Sequence, residues 1–190
     1  MDKNIQIPNG THSASAHHNE QIRTALREML QGEGINYFVT ANLNWEKKLI
    51  PGRNMFDRWH AHLTRGPEFA KARNALRQWH AEVDRSLLGS KWSKKDASER
   101  TFFAAFPEHA DHNLHYHLLL RLPGEWLSEE FQLLAIDHWG RVVPGGSLDV
   151  QPLLTDEDVQ NVVRYATKDF LRKDLMENFF LSTEFANGDD

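Results

Sequence analysis

Between residues 114 and 122 apolar positions recur with a period of two. Leu114, Tyr116, Leu118, Leu120 and Leu122 fall on one face of an extended strand; His115, His117, Leu119 and Arg121 fall on the other. The first face is wholly apolar and must be buried. Residues 36–44 repeat the pattern, with Tyr37, Val39, Ala41 and Leu43 opposed to Phe38, Thr40, Asn42 and Asn44. A further strand is predicted over residues 101–106. A short one over residues 147–151 sets Leu148 and Val150 against Ser147, Asp149 and Gln151.

Elsewhere the period shifts to three and four. Residues 19–31 place Ile22, Ala25, Leu26, Met29 and Leu30 on one helical stripe, which Gly32 and Gly34 end. A helical region begins near Met55. It is clearest from Pro67 to Gly89, where Phe69, Ala72, Leu76, Trp79, Val83 and Leu87 recur. Residues 128–139 form another helix. The last starts at Thr155, with Asp158 three residues on as in a capping box, and carries Val159, Val162, Val163, Ala166 and Phe170 inward. Residues 1–18 are polar and predict a mobile arm, and residues 181–190 an acidic tail. Residues 19–180 form one domain. Strands with one apolar face and one face bearing polar groups predict an α+β fold. Its antiparallel sheet has helices packed on one face and a polar cleft on the other.

Composition narrows the chemistry. A charged fraction of 26% and a hydrophobic fraction of 40% place the chain among soluble globular proteins, and 190 residues suffice for a sizeable core. There is no cysteine, so disulfides and thiolate metal sites are excluded and any metal must use histidine and oxygen ligands. No apolar run approaches the roughly 18 residues of a membrane span, and residues 1–20 lack the apolar core of a signal peptide. The expected location is cytoplasmic, with no membrane partner. A net charge of −5 argues against nonspecific coating of nucleic acid. It leaves room for a local basic site, and Lys91, Lys94, Lys95 and Arg100 with Trp92 form such a cluster.

His115 and His117, two apart on one strand face, can aim at one metal ion. Spacing alone is weak evidence, because 11 histidines in 190 residues supply about half a His-x-His pair by chance. His60-x-His62 shows an uninformative copy: in a helical stretch, positions i and i+2 lie about 200° apart and do not converge. A second constellation is Tyr165 with Lys168 one turn along. A free tyrosine hydroxyl is a weak nucleophile at neutral pH, and a neighbouring ammonium and divalent cation favour its phenolate. Tyr37 and Tyr116 point to apolar strand faces, which leaves Tyr165 to face a polar cleft.

In order along the chain, Phe38-Val39-Thr40-Ala41-Asn42-Leu43, then His115-Tyr116-His117, then Tyr165-Ala166-Thr167-Lys168, resemble the three motifs of HUH endonucleases. The nearest resemblance is to the single-tyrosine nucleases that initiate rolling-circle replication, and it covers about residues 36–173. It implies an RRM-like antiparallel sheet on which His115, His117 and a third ligand hold Mg²⁺ or Mn²⁺. In that family the third ligand often precedes the histidines by several residues, where Glu108 stands; His109, Asp111 and His112 are the alternatives. Such a bare His₂Glu set would equally accept zinc. The implied reaction is nicking and joining of single-stranded DNA, at an origin or a hairpin-like site. Tyr165 forms a 5′-phosphotyrosine and Lys168 steadies the phosphate or the phenolate. Thr40, Asn42, Asn44, Arg164 and the lysines 91, 94 and 95 would contact DNA. The chain has no Gly-x-x-x-x-Gly-Lys-Ser/Thr phosphate loop, so a replication role would rely on a host helicase. Rival readings are a compact single-tyrosine transposase, a relaxase, a metal-dependent hydrolase without a covalent step, and a noncatalytic RRM-like binding module.

Overall fold

The computed structural model describes residues 11–44, 65–108, 114–124, 128–168 and 172–186. In chain order the elements are α1 (Thr11–Gly32), β1 (Tyr37–Asn42), α2 (Arg65–Leu88), β2 (Phe102–Glu108) and β3 (His115–Arg121). Then follow α3 (Ser128–Val142), β4 (Ser147–Pro152), α4 (Asp156–Ala166), α5 (Lys173–Met176) and β5 (Phe180–Leu181). The strands form one antiparallel sheet in the order β4-β1-β3-β2-β5. From β1 to β4 the elements run strand, helix, strand, strand, helix, strand, compatible with an RRM-like α+β fold.

The parity of each strand decides what it faces. Odd positions of β1 and β2 (Tyr37, Val39, Ala41, Phe103, Ala105) join the even positions of β3 and β4 (Tyr116, Leu118, Leu120, Leu148, Val150) under α2 and α3. Trp79 and Trp139 fill this layer. Their indole N–H groups donate to the Ala135 and Asn42 carbonyls at 3.0 and 3.2 Å, so neither is buried unpaired. Truncating either to alanine would cost about 3–5 kcal/mol. Gly89 ends α2 at φ +81°, a backbone conformation that suits glycine.

At the foot of this layer α2 is tied to the start of β2 by a buried polar knot. Asp84 Oδ1 accepts from the Thr101 amide at 3.0 Å and from its hydroxyl at 2.5 Å. His80 Nε2 lies 2.9 Å from the Thr101 carbonyl and 3.6 Å from Asp84 Oδ2.

The opposite face is also partly covered. Phe38, Phe102, Ala104, Phe106 and Leu119 pack beneath Leu30, Ile35, Val163 and Ala166, so α1 and α4 lie on this side. Helices α2 and α3 therefore occupy one face, and the second face is shared between α1, α4 and the polar end of the sheet. The Thr155–Asp158 capping box at the start of α4 is present as expected, the Thr155 side chain accepting from the Asp158 amide.

Three features differ in extent from the sequence-based expectation. Helix α1 begins at Thr11, within the stretch read as an arm. Strand β2 runs on to Glu108, past the Phe106 end expected from its apolar residues. Residues 181–185, read as part of a tail, pack on the sheet: Ser182 Oγ accepts from the Phe103 amide at 2.9 Å, and Glu184 pairs with Arg73 at 2.7 Å. The helix expected near Met55, with His60 and His62, and the inward position assigned to Phe170 lie outside the described residues. Among the described residues no helix is long and apolar enough to cross a membrane.

Candidate metal centre and nucleophile

Glu108 ends β2 and is paired across the ladder with His115, while His117 pairs with Phe106 two residues along. Because side chains alternate, Glu108 takes the same face as Phe106, and that is the face of His115 and His117. One ligating atom from each of the three converges within 4.8 Å of the others. Glu108 Oε2 lies 2.5 Å from His117 Nε2 and 3.4 Å from His115 Nε2. Two imidazole nitrogens and a carboxylate oxygen, meeting on rigid strands, can hold a divalent metal ion.

The electrostatics favour an ionised Glu108 and a neutral His117. Burial works to raise the Glu108 pKa, but hydrogen bonds from Lys168 and His117 outweigh it and bring the carboxyl down to about 2. His117 is shifted below the ordinary histidine value, chiefly by desolvation and against the pull of Glu108, which keeps the ring neutral. The β1 strand supports the imidazole from behind. Phe38 stacks on it with ring centroids 5.1 Å apart, and Thr40 Oγ1 lies 3.2 Å from Nδ1.

Helix α4 brings Tyr165, and the turn that ends it brings Lys168, over the cluster. The Tyr165 ring stands 5.1 Å from the His117 ring and meets Phe38 edge-on at 6.1 Å. Lys168 Nζ lies 3.8 Å above the centre of that ring and 2.7 Å from Glu108 Oε1. Burial works against its charge, but hydrogen bonds with Glu108 and Tyr165 raise its pKa, so Lys168 is an ammonium. The cleft between them is bounded by Pro107, Glu108, His117, Tyr165, Lys168 and Leu175. Tyr165 is 45% exposed, whereas Tyr37 and Tyr116 are 6% and 1% exposed. Burial also pushes the Tyr116 hydroxyl well above its usual pKa.

The other candidates fall in different places. Thr40 faces His117, and Asn42 lies in register between Ser147 and His115 on the same sheet surface. Asn44 is exposed just past β1 with φ +34°, and Arg164 is exposed on α4. Lys91, Lys94 and Lys95 precede β2 at its opposite end, about 20 Å along the strand from Glu108. Lys95 pairs with Glu99 at 3.1 Å, while Lys91 and Lys94 are exposed. The lysines are not brought to the cluster. His109, Asp111 and His112 lie outside the described residues.

Two contacts escaped the sequence reading. Phe38 shares the parity of Thr40, so its place on the histidine face was legible, though its stacking partner was not. Arg23 of α1 donates to the Lys168 carbonyl at 3.2 Å, a tie that no local pattern encodes. No family model matches this chain, nor does any curated protein or solved structure.

Proposed function

We propose that this protein is a metal-dependent endonuclease and strand transferase for single-stranded DNA, acting through a covalent 5′-phosphotyrosine on Tyr165. The observation that carries the reading is the position of Tyr165. An exposed tyrosine packs against His117 of a Glu108–His115–His117 cluster, with the Lys168 ammonium touching both the ring and the carboxylate.

Each residue then has a task. Glu108, His115 and His117 would hold Mg²⁺ or Mn²⁺, which when bound supplies positive charge to a non-bridging phosphate oxygen. Lys168 stabilises the charge that develops on Tyr165 Oη as its proton leaves to solvent. Oη forms a bond to phosphorus, the bond from phosphorus to the 3′-oxygen breaks, and that oxygen takes up a proton as a free 3′-hydroxyl. The phosphotyrosine conserves the ester, so the reverse attack by a 3′-hydroxyl rejoins strands. The ordered resemblance to the HUH motifs supports DNA as the substrate and replication initiation as the setting, with unwinding left to a host helicase.

The test is incubation with labelled single-stranded DNA and Mn²⁺, followed by denaturing electrophoresis. A denaturation-resistant adduct is expected from the wild type and from neither Tyr165→Phe nor His117→Ala. An adduct that survives Tyr165→Phe removes the nucleophile. Cleavage with no adduct favours a hydrolase, and binding without cleavage favours a noncatalytic module.

A further inference from the structure

Phe38 and Thr40 share the second face of β1, and both touch the imidazole of His117. Phe38 stacks on it at an interplanar angle of 20°. Stacking fixes the plane of the ring but does not distinguish one nitrogen from the other. Glu108 Oε2, 2.5 Å from Nε2, and the hydroxyl of Thr40, 3.2 Å from Nδ1, make that distinction together. The hydroxyl is held there by the ladder, since Thr40 pairs directly with His117. The neighbour on the other side, Asp149, is engaged by Gln151 Nε2 at 2.6 Å.

We propose that Thr40 is the positioning residue of the metal centre, its hydroxyl holding His117 Nε2 toward Glu108 and exchanging donor and acceptor roles as metal loads. The inference rests on reading Glu108, His115 and His117 as a metal centre. Without metal, His117 Nε2 carries the proton and donates it to Glu108 Oε2, so Nδ1 accepts from the Thr40 hydroxyl. With metal, Nε2 must present its lone pair. The Nε2 proton then leaves to solvent, Nδ1 takes one up, and the N–H donates to Thr40 Oγ1. The imidazole is neutral in both states, so only its tautomer changes. A hydroxyl can serve either state because it both donates and accepts, which a residue confined to one role cannot do. The outer partner of a ligating histidine commonly governs metal affinity in this way.

The test compares the full chain with Thr40→Val, which keeps the shape and loses the hydroxyl, and Thr40→Ser, which keeps the hydroxyl. Zn²⁺ is the probe, since it is diamagnetic and suits the donor set. The readouts are Zn²⁺ affinity by titration and the ring ¹⁵N shifts of His117 with and without Zn²⁺. Thr40→Val is expected to lose about ten-fold or more in Zn²⁺ affinity. Its metal-free His117 should keep the Nε2–H tautomer that the Glu108 carboxylate imposes, with the Nδ1 shift moved to that of a nitrogen that accepts no hydrogen bond. Thr40→Ser should stay close to wild type in both. The inference is overturned if Thr40→Val binds Zn²⁺ like the wild type and keeps the wild-type Nδ1 shift. If no form binds Zn²⁺, the metal reading fails by itself. The positioning role is then decided by the metal-free spectra: a displaced Nδ1 shift in Thr40→Val alone supports it, and one Nδ1 shift in all three proteins overturns it.

Discussion

Two buried histidine–carboxylate pairs lie on opposite faces of the same sheet, His80 with Asp84 and His117 with Glu108. Their burial is similar, but their surroundings are not. Asp84 is fully enclosed and spends one oxygen on the Thr101 amide and hydroxyl, and His80 faces the Thr101 carbonyl. That knot joins α2 to β2, and among the described residues no third ligating group converges on it. Glu108 instead meets two imidazoles and an ammonium, and an exposed tyrosine borders the cleft. A buried histidine–acid pair is thus not a site in itself. Convergence of a third donor and access for a reacting group separate the two.

Mutations should divide the regions cleanly. His117→Ala should remove measurable metal binding, seen by titration, while the protein stays folded. Asp84→Ala should do the reverse. It strands the Thr101 amide and hydroxyl and costs about 2–4 kcal/mol in urea unfolding, with metal affinity retained. If Asp84→Ala abolished metal binding while the protein stayed folded, the division would be wrong. The next largest effect is expected from Lys168→Met, which should slow adduct formation by about 10²-fold in single-turnover assays at saturating metal.

Proton linkage gives a smaller effect that both pairs share in sign. His80 is shifted below its ordinary value of 6.5, first by burial and against the attraction of Asp84. His117 moves in the same direction. The unfolded chain therefore takes up these protons first as pH falls. Stability present above pH 6.5 is lost below it, by at most about 1.4 kcal/mol per pH unit for each group. Urea midpoints of the metal-free protein should drop between about pH 7.5 and 5.5; a midpoint that rises would contradict the neutral, buried state of both rings. Smallest is Thr155→Ala. It removes the cap of α4 at a cost of about 1 kcal/mol in the same assay, without weakening metal binding.

Alternation made β1, β3 and β4 readable because each has one face that must be buried, and the capping box marked α4 by local hydrogen bonding. The same rule, pressed two residues further, would have put Glu108 on β2 and on the histidine face without any family resemblance. It was hidden by Pro107, which interrupts the apolar run. Packing of α1 and α4 on the second face had a sequence trace in Phe38 and Leu119, apolar residues on otherwise polar strand faces. By contrast β5 has two residues and no periodicity to read. The basic segment around Lys94 was legible as charge, but its distance from the cluster follows from which end of β2 it joins, a tertiary fact.

The most direct test of the central claim is to locate the covalent bond. After reaction with single-stranded DNA and Mn²⁺, the adduct is digested with nuclease and protease and its peptides are mapped by mass spectrometry. The expected result is a 5′-phosphonucleotide on the peptide containing Tyr165, carried by the tyrosine itself. A nucleotide on any other residue, or cleaved DNA with no modified peptide, would contradict it.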